Sequence, residues 1–253
     1  MSASYRAKGS IGWIVPPRCN ETVIEEAFRI RPPGVSWAFA TLGMADFGPD
    51  HYEEALLAIE AATKDLVARD VSVVVYSGMP LTAQRQGEYH RELETRIRAV
   101  TGDELPVITD TEVVVLALRA LRIRRLALIT PYQAANVANV KRVFEGQGFD
   151  VAATRGRDWN LAQLITQPED DTVYEMALEA HEATDGHDGF YLGCPQWPVV
   201  ANIGPIEAAT GLPVVTQVQA IMWWTAHHLE LDADLSEFGR LFSQSAGPVG
   251  RSD

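Results

Sequence analysis

The chain contains the same pair of short motifs twice, and this internal repeat is the feature that most constrains its fold. Tyr76–Pro80 reads YSGMP and Tyr191–Pro195 reads YLGCP, at an offset of 115 residues. Ile14–Pro16 and Ile129–Pro131 match at the same offset of 115 residues. Two independent matches at one spacing indicate a duplication. The sequence therefore predicts two similar lobes that face each other.

A third match has a different offset and shows how the two copies have diverged. Leu105–Val107 and Leu212–Val214 are 107 residues apart, as expected if one copy has lost part of a loop. Within the first match, Met79 stands where the second copy has Cys194. We expect these two residues to be counterparts across a cleft, with a thiol on one side only.

Short apolar runs alternate with longer stretches of helical spacing, a pattern typical of parallel strands joined by helical crossovers. Strands are predicted at 12–15, 35–41, 71–76, 106–109, 126–130, 150–153, 189–192 and 213–215. Helices are predicted at 21–29, 52–69, 84–100, 134–146, 169–183 and 202–210. The predicted fold class is α/β, with two pseudo-two-fold-related lobes. Each lobe is a four-stranded parallel sheet flanked by helices, and the active site lies in the interlobe cleft.

Two further helices define the expected lobe boundaries. They are predicted at 112–121 and 219–229, after the fourth strand of each lobe, and are expected to cross to the opposite lobe. Residues 9–110 plus 219–245 are therefore assigned to the first lobe, and 111–218 to the second.

Composition excludes several classes of partner. The net charge is −13 without a basic stripe, so nucleic acid and anionic membranes are not expected partners. No apolar stretch approaches the roughly 20 residues needed to span a bilayer, and the sequence predicts a cytoplasmic protein. Cys19 and Cys194 are the two cysteines, too few for a disulfide framework, and no metal is expected. Monomer and homodimer both remain open.

Ligands of parallel sheets bind beyond the carboxyl ends of the strands, where loops enter helix N-termini. The loops at 16–22, 77–82, 131–136 and 193–198 meet this description. Cys194 is the strongest candidate, because it follows Gly193 at a strand end where N–H groups lower a thiol pKa. A buried cysteine that only packs as a small apolar residue is the alternative. The position of Cys194 in the repeat favours chemistry.

Other candidates come from the same loops. The hydroxyl of Tyr132 can donate to a carboxylate or developing oxyanion, although an aromatic that only packs at the lobe interface is the alternative. Asn20 can cap the following helix and border an anion site at once. The predicted substrate-binding residues are Asn20, Pro16, Ser77, Gly78, Met79, Leu81, Thr82, Gly193 and Pro195.

These motifs resemble those of the Asp/Glu racemase superfamily, within it the maleate isomerase and arylmalonate decarboxylase branch. The resemblance runs from Gly12 to about Leu229. It is carried by Pro16 through Asn20 with Thr22, by Thr130–Tyr132, by Gly193-Cys194, by Ile206–Ala208, by Gly211–Thr216 and by Gln219-Ala220. It implies two pseudo-symmetric α/β lobes, an interlobe active site, no cofactor and a small carboxylic or dicarboxylic acid as substrate.

The resemblance also implies a reaction. Typical racemases and isomerases of this superfamily have two cysteines facing the substrate, whereas this chain has Gly78 or Met79 at the first position. Arylmalonate decarboxylases have one cysteine, equivalent to Cys194, which protonates the enediolate left after loss of carbon dioxide. We therefore expect cofactor-independent, arylmalonate-type decarboxylation.

The resemblance does not extend to the residues that hold the substrate carboxylates. The apolar Met79, Pro80 and Leu81 are expected to disfavour one carboxylate by desolvation. Tyr132, Asn20 and backbone N–H groups near Leu81 and Thr82 are expected to hold the other. The decarboxylases have hydroxyl residues just after the missing thiol, where this chain has Pro80 and Leu81.

Two alternatives remain. Cys19 can replace the missing thiol, which would make the protein a maleate-type cis-trans isomerase or an amino-acid/hydantoin-type racemase, since such chemistry needs a proton carrier on each face. The other alternative is a non-catalytic protein that binds small acids, because fold does not fix function.

Overall fold

The computed structural model describes residues 5–83, 88–166 and 170–245. The first half forms β1 (Gly9–Pro17), α1 (Glu21–Arg29), β2 (Val35–Met44), α2 (Pro49–Val67), β3 (Val73–Tyr76), α3 (Met79–Thr82), α4 (Glu88–Thr101) and β4 (Val107–Thr109). The second half forms α5 (Asp110–Ala120), β5 (Arg125–Ile129), α6 (Ala134–Gly146), β6 (Asp150–Arg155), α7 (Leu161–Thr166), α8 (Asp170–Glu182), β7 (Gly189–Leu192), α9 (Ile203–Thr210), β8 (Val214–Thr216) and α10 (Gln217–His228). Short 3-10 helices lie at Val200–Asn202, Ser236–Phe238 and Arg240–Ser243.

The two sheets have the same topology, which confirms the predicted fold class. Their strand orders are β2-β1-β3-β4 and β6-β5-β7-β8, and all pairings are parallel. The predicted strands all form, although β1 and β2 are longer than expected. The short helices α3 and α7 were not predicted, because one or two turns give too little periodicity to detect. The first four residues of the helix predicted at 84–100, and the first of that at 169–183, lie outside the described residues.

Strand register corrects the pairing of the two motifs. Tyr76 pairs with Ile14 of β1, whereas Leu192 pairs with Ile129 of β5. The lobes are thus offset by 116 residues at this point, one more than the motif match. The next backbone N–H continues each ladder, from Ser77 to Ile14 and from Gly193 to Ile129.

Gly78, and not Met79, is therefore the structural counterpart of Cys194. Both residues adopt positive φ angles, +145° for Gly78 and +96° for Cys194. A positive φ is easy for glycine but strained for cysteine. The sequence match aligned Tyr76 with Tyr191 and so placed the thiol opposite Met79, which the backbone hydrogen bonds exclude.

The helices α5 and α10 pack against each other between the lobes. Each begins with a capping box, formed by Thr109 with Glu112 and by Thr216 with Gln219. Beyond α10, Lys8 donates to the carbonyl of Asp232 in the first lobe. Further on, the chain returns to the second lobe.

This return is fixed by Arg240, whose backbone N–H bonds Glu207. The lobe boundaries remain a prediction.

Among the described helices, none combines the length and apolarity needed to cross a membrane.

Hydrogen bonds from α1 join the first lobe to the segment that follows Cys194. The buried carboxylate of Glu26 accepts the N–H groups of Val199 and Val200 at 2.9 and 2.6 Å. The side chain of Gln196 accepts the N–H of Val23 at 3.0 Å and donates to the carbonyl of Cys19 at 3.1 Å. The loop after the thiol is thus fixed to the opposite lobe.

Replacing Glu26 by alanine is expected to destabilise the protein, because two buried N–H groups lose their acceptor. We expect a loss of roughly 2–5 kcal/mol in the free energy of unfolding. Urea denaturation followed by circular dichroism measures this loss. Glu25→Ala, at an exposed position of the same helix, serves as control and should change stability by less than about 0.5 kcal/mol. Equal stability of the two variants would contradict the role of Glu26.

Candidate active site

One apolar pocket lies between the lobes at the carboxyl ends of β1, β3 and β7. Its empty volume, including the open mouth, is about 430 Å³. Its lining is Val15, Pro16, Pro17, Asn20, Val23, Met44, Phe47, Ser77, Gly78, Pro80, Leu81, Tyr132, Leu161, Cys194, Pro195 and Gln196. Within the part of the chain that the structure describes, no lysine, arginine or histidine belongs to this lining. A bound acid must therefore be held by neutral donors.

Most of the predicted site residues are brought together here. The lining includes Tyr132 and Cys194, together with the predicted substrate-binding residues Pro16, Asn20, Ser77, Gly78, Leu81 and Pro195. Its remaining members were not predicted as binding residues, and several of them, such as Met44 and Phe47, carry no sequence signal beyond being apolar.

Four predicted residues do not line the pocket. Met79 is fully buried at the start of α3, and Gly193 continues the β7 ladder behind the thiol. The hydroxyl of Thr82 is within hydrogen-bonding distance of the Met79 carbonyl and the Thr111 hydroxyl. Cys19 is exposed, and its backbone carbonyl is bonded to Gln196. The expected second thiol is thus outside the lining.

Cys194 is buried, with 4% of its surface exposed. Burial raises the pKa of its thiol to about 12, although hydrogen bonds from the Tyr132 hydroxyl and the Gln196 N–H act in the opposite direction. The sequence predicted that nearby N–H groups would lower this pKa, and that prediction is wrong because desolvation outweighs them. At neutral pH the thiol is protonated and suited to donate a proton.

Contacts with both lobes fix the position of Tyr132. A parallel bridge pairs it with Trp159, whose N–H donates to the Pro131 carbonyl at 3.0 Å. The Phe47 ring meets the Tyr132 ring edge-on, with 5.8 Å between centroids. Burial raises the pKa of Tyr132 well above its ordinary value. Its hydroxyl therefore remains a donor.

The expected backbone donors to a carboxylate are already occupied. The N–H groups of Leu81 and Thr82 both donate to the Gly78 carbonyl, at 2.7 and 3.0 Å. The Asn20 amide donates to the Pro17 carbonyl at 2.7 Å, and its side chain does not cap α1. These bonds occupy the backbone N–H groups of Leu81 and Thr82, which were expected to hold the substrate. Asn20 keeps a second amide hydrogen and lines the pocket, so its binding role stays a prediction.

Ser77 provides a hydroxyl in the lining. Its Oγ accepts the indole N–H of Trp13 at 2.6 Å. Since that bond uses a lone pair, the hydroxyl hydrogen remains able to donate. Together with Tyr132, Ser77 can hold one carboxylate from the two lobes.

Two buried polar residues behind the pocket were missed. Asp110 accepts the Gly78 N–H at 2.7 Å and the Gln217 side-chain amide at 2.6 Å through one carboxylate oxygen. Gln217 in turn accepts the Cys194 N–H at 3.1 Å. The third motif match marks them as equivalent positions of the two lobes, because Asp110 and Gln217 are 107 residues apart, the same offset as Leu105–Val107 and Leu212–Val214.

A possible metal-binding cluster lies away from the pocket. His90, Glu94 and Glu112 place ligand atoms within 4.8 Å of one another. His90 and Glu112 both bond Thr109, and Glu94 bonds Arg98. Their side chains are thus already used in the structure of α4 and α5.

Comparisons with known proteins agree with this arrangement. A family model described as arylmalonate decarboxylase matches residues 11–242. Arylmalonate decarboxylase of Bordetella bronchiseptica is 25% identical over 237 residues, which cover 93% of this chain and 97% of that protein. Maleate isomerase of Pseudomonas putida strain KT2440 is 28% identical over 162 residues, which cover 61% of this chain and 63% of that protein.

Solved structures show the same fold. Maleate isomerase Iso from Pseudomonas putida S16 superposes with a TM-score of 0.84 at 22% identity, covering 93% of this chain and 98% of that one. A liganded double mutant of arylmalonate decarboxylase gives a TM-score of 0.83 at 24% identity, covering 92% of this chain and 98% of that one.

The buried carboxyl group of Asp110 is expected to make stability depend on pH. Burial raises its pKa from the ordinary value of 3.8 to about 6, so the folded protein binds this proton more tightly than the unfolded chain. The resulting stabilisation is present below pH 3.8 and is lost as pH rises through 6. Between pH 7 and pH 4 the wild type should gain roughly 2 kcal/mol of unfolding free energy relative to Asp110→Asn.

Urea denaturation at several pH values measures this difference. Asp103→Asn, at an exposed aspartate, is the matched control and should keep a constant offset from the wild type. A constant offset for Asp110→Asn as well would show that Asp110 titrates normally.

Proposed function

Since the chain belongs to the arylmalonate decarboxylase family, we propose that it decarboxylates an arylmalonate-type acid without a cofactor. The observation that carries this proposal is a buried thiol on one wall of an apolar pocket. Cys194 forms that wall, and its structural counterpart on the other side is Gly78, which has no side chain. One proton donor suffices for this reaction.

The apolar lining supports the bond-breaking step. Heterolysis of the bond between the α-carbon and one carboxylate releases neutral carbon dioxide and leaves its electron pair on an enediolate. Without a cationic side chain in the described lining, the departing carboxylate is poorly stabilised, and its loss as a neutral molecule is favoured. Val15, Met44, Phe47 and Leu161 offer apolar surface to the acid's substituent.

Neutral donors support the charge that develops on the remaining carboxylate. Tyr132 and Ser77 each bring a hydroxyl group into the lining, one from each lobe, and these hydroxyls donate to the remaining carboxylate in the proposed reaction. Hydrogen bonds to an oxyanion that gains charge in the transition state contribute to catalysis, because they strengthen as the reaction proceeds.

Proton transfer completes the reaction. The Cys194 S–H bond breaks, its proton joins the α-carbon, and the thiolate keeps the electron pair until solvent returns a proton. The Gln196 N–H bonds the sulfur and lowers the cost of this thiolate, whereas the single hydrogen of the Tyr132 hydroxyl, which bonds the sulfur before the substrate binds, is donated to the substrate carboxylate. The position of this N–H suits an acid that must ionise once per turnover.

The two-thiol alternative has less support. A second acid is needed on the opposite face, yet Cys19 is exposed and outside the lining. A Cβ atom on Gly78 would lie 2.6 Å from both Pro16 Cγ and the Tyr76 hydroxyl oxygen. Named relatives are a decarboxylase and maleate isomerases, so the non-catalytic alternative has no support. The cytoplasmic location and the choice between monomer and homodimer stay predictions from the sequence.

Cys194→Ala is expected to reduce product formation by roughly 10²–10⁴-fold, the usual contribution of a general acid. Release of carbon dioxide and formation of the monoacid from phenylmalonate and related 2-substituted malonates measure the effect. Circular dichroism verifies the fold. Cys19→Ser, which removes the other thiol, is the matched control and should keep its activity. Undiminished turnover by Cys194→Ala would refute the proposed role.

The stereochemistry of the product separates decarboxylation by one acid from two-thiol chemistry. In deuterium oxide we expect one deuterium at the α-carbon and a single enantiomer, because only one wall of the pocket donates a proton. NMR and chiral chromatography measure both properties. Maleate, tested in parallel, should yield no fumarate. A racemic product, or fumarate formation that Cys19→Ser abolishes, would favour the isomerase or racemase.

A further inference from the structure

Asp110 and Gln217 connect the two turns that face each other at the centre of the molecule. The chain of hydrogen bonds runs from the Gly78 N–H to Asp110, from the Gln217 amide to Asp110, and from the Cys194 N–H to Gln217. Asp110 is fully buried and Gln217 is 1% exposed. The counterpart positions of the two lobes are thus joined through side chains alone.

The order of donors and acceptors permits one orientation of the Gln217 amide. An ionised carboxylate only accepts hydrogen bonds, so the Gln217 NH₂ group must face Asp110. Its carbonyl oxygen then necessarily faces the Cys194 N–H, at 3.1 Å. A reversed amide would place a donor against that N–H.

The elements that carry the two residues are rigid. Asp110 is the first residue of α5 and Gln217 the first of α10, and both helices begin with a capping box. The two helices also pack against each other. Neither end of the connection can move without disturbing the packing between the lobes.

Cys194 needs such support. Its φ of +96° is unfavourable for a residue with a side chain. Such a conformation persists only where its surroundings hold it. The bond from its N–H to Gln217 acts directly on the strained residue.

We propose that Asp110 and Gln217 act as a pair of positioning residues, which hold the Cys194 turn so that its sulfur stays at the pocket wall beside Tyr132. Neither residue lines the pocket, so their effect on the reaction passes through the position of the thiol. The effect on turnover rests on the proposed function, whereas the effect on the thiol does not.

An exchange of the two side-chain types tests the pair. Gln217→Glu alone places a second carboxylate 2.6 Å from Asp110, where two charges cannot coexist. Adding Asp110→Asn removes one of the two charges. Its NH₂ group, in place of the oxygen that Gln217 contacts, donates to the new glutamate, which accepts the Cys194 N–H, while the Gly78 N–H loses its acceptor. At a pH where both carboxyl groups are ionised, we expect Gln217→Glu to lower kcat by roughly 10–100-fold, the scale of a misplaced catalytic group. At a lower pH, where the two groups share a proton, the glutamic acid keeps the bonding pattern of Gln217 and the loss should be smaller. The double variant should recover most of this loss, with KM little changed throughout.

A second readout does not require turnover. In a Cys19→Ser background Cys194 is the remaining cysteine of the chain, so iodoacetamide reports on its position alone. Gln217→Glu should change the alkylation rate several-fold, and the double variant should return it toward the parent value. If the parent decarboxylates nothing but its alkylation follows this pattern, the proposed function fails and the positioning pair stands.

Controls keep the test decisive. Gln147→Glu makes the same change of charge at an exposed position and should alter neither kcat nor alkylation. If Gln217→Glu does not fold, Gln217→Met removes both bonds without adding charge and should give the same two effects. A folded double variant that is no better than Gln217→Glu, or a Gln217→Met variant with unchanged alkylation, would overturn the proposal.

Discussion

Burial of the Cys194 thiol is the constraint on which the chemistry depends. A solvent-exposed cysteine at a strand end, near backbone N–H groups, would be expected to ionise readily and act as a nucleophile. Here desolvation keeps the proton on the sulfur, while the Gln196 N–H provides a bond that suits the thiolate left after transfer. The same residue type, in the same part of the fold, thereby serves as an acid.

In the proposed reaction, asymmetry between the lobes decides which side of the substrate receives a proton. Equivalent turns follow β3 and β7, with the same ladder hydrogen bonds and with positive φ angles at Gly78 and Cys194. A side chain at Gly78 has no space, because the ring of Pro16 and the hydroxyl of Tyr76 lie too close to the position of a Cβ atom. One turn shapes the pocket and the other performs the transfer.

Sequence reasoning predicted the fold well, because eight apolar runs and the repeat specify two sheets of equal topology. It placed Cys194 and Tyr132 in the pocket for the same reason. It failed at the level of hydrogen bonds, since only the folded structure shows that the backbone N–H groups of Leu81 and Thr82 both donate to the Gly78 carbonyl. The repeat makes Asp110 and Gln217 equivalent positions, but it does not show that their side chains are in contact.

The contact between Asp110 and Gln217 also bears on how the duplicated halves diverged. These residues occupy equivalent sites, so an ancestor built from two identical copies would have carried the same side chain at both. Two identical acids in contact at these positions would either repel each other or have to share one proton. The present pair forms a hydrogen bond because Gln217 donates and Asp110 accepts. The two halves therefore differ at this contact as well as at the position of Cys194.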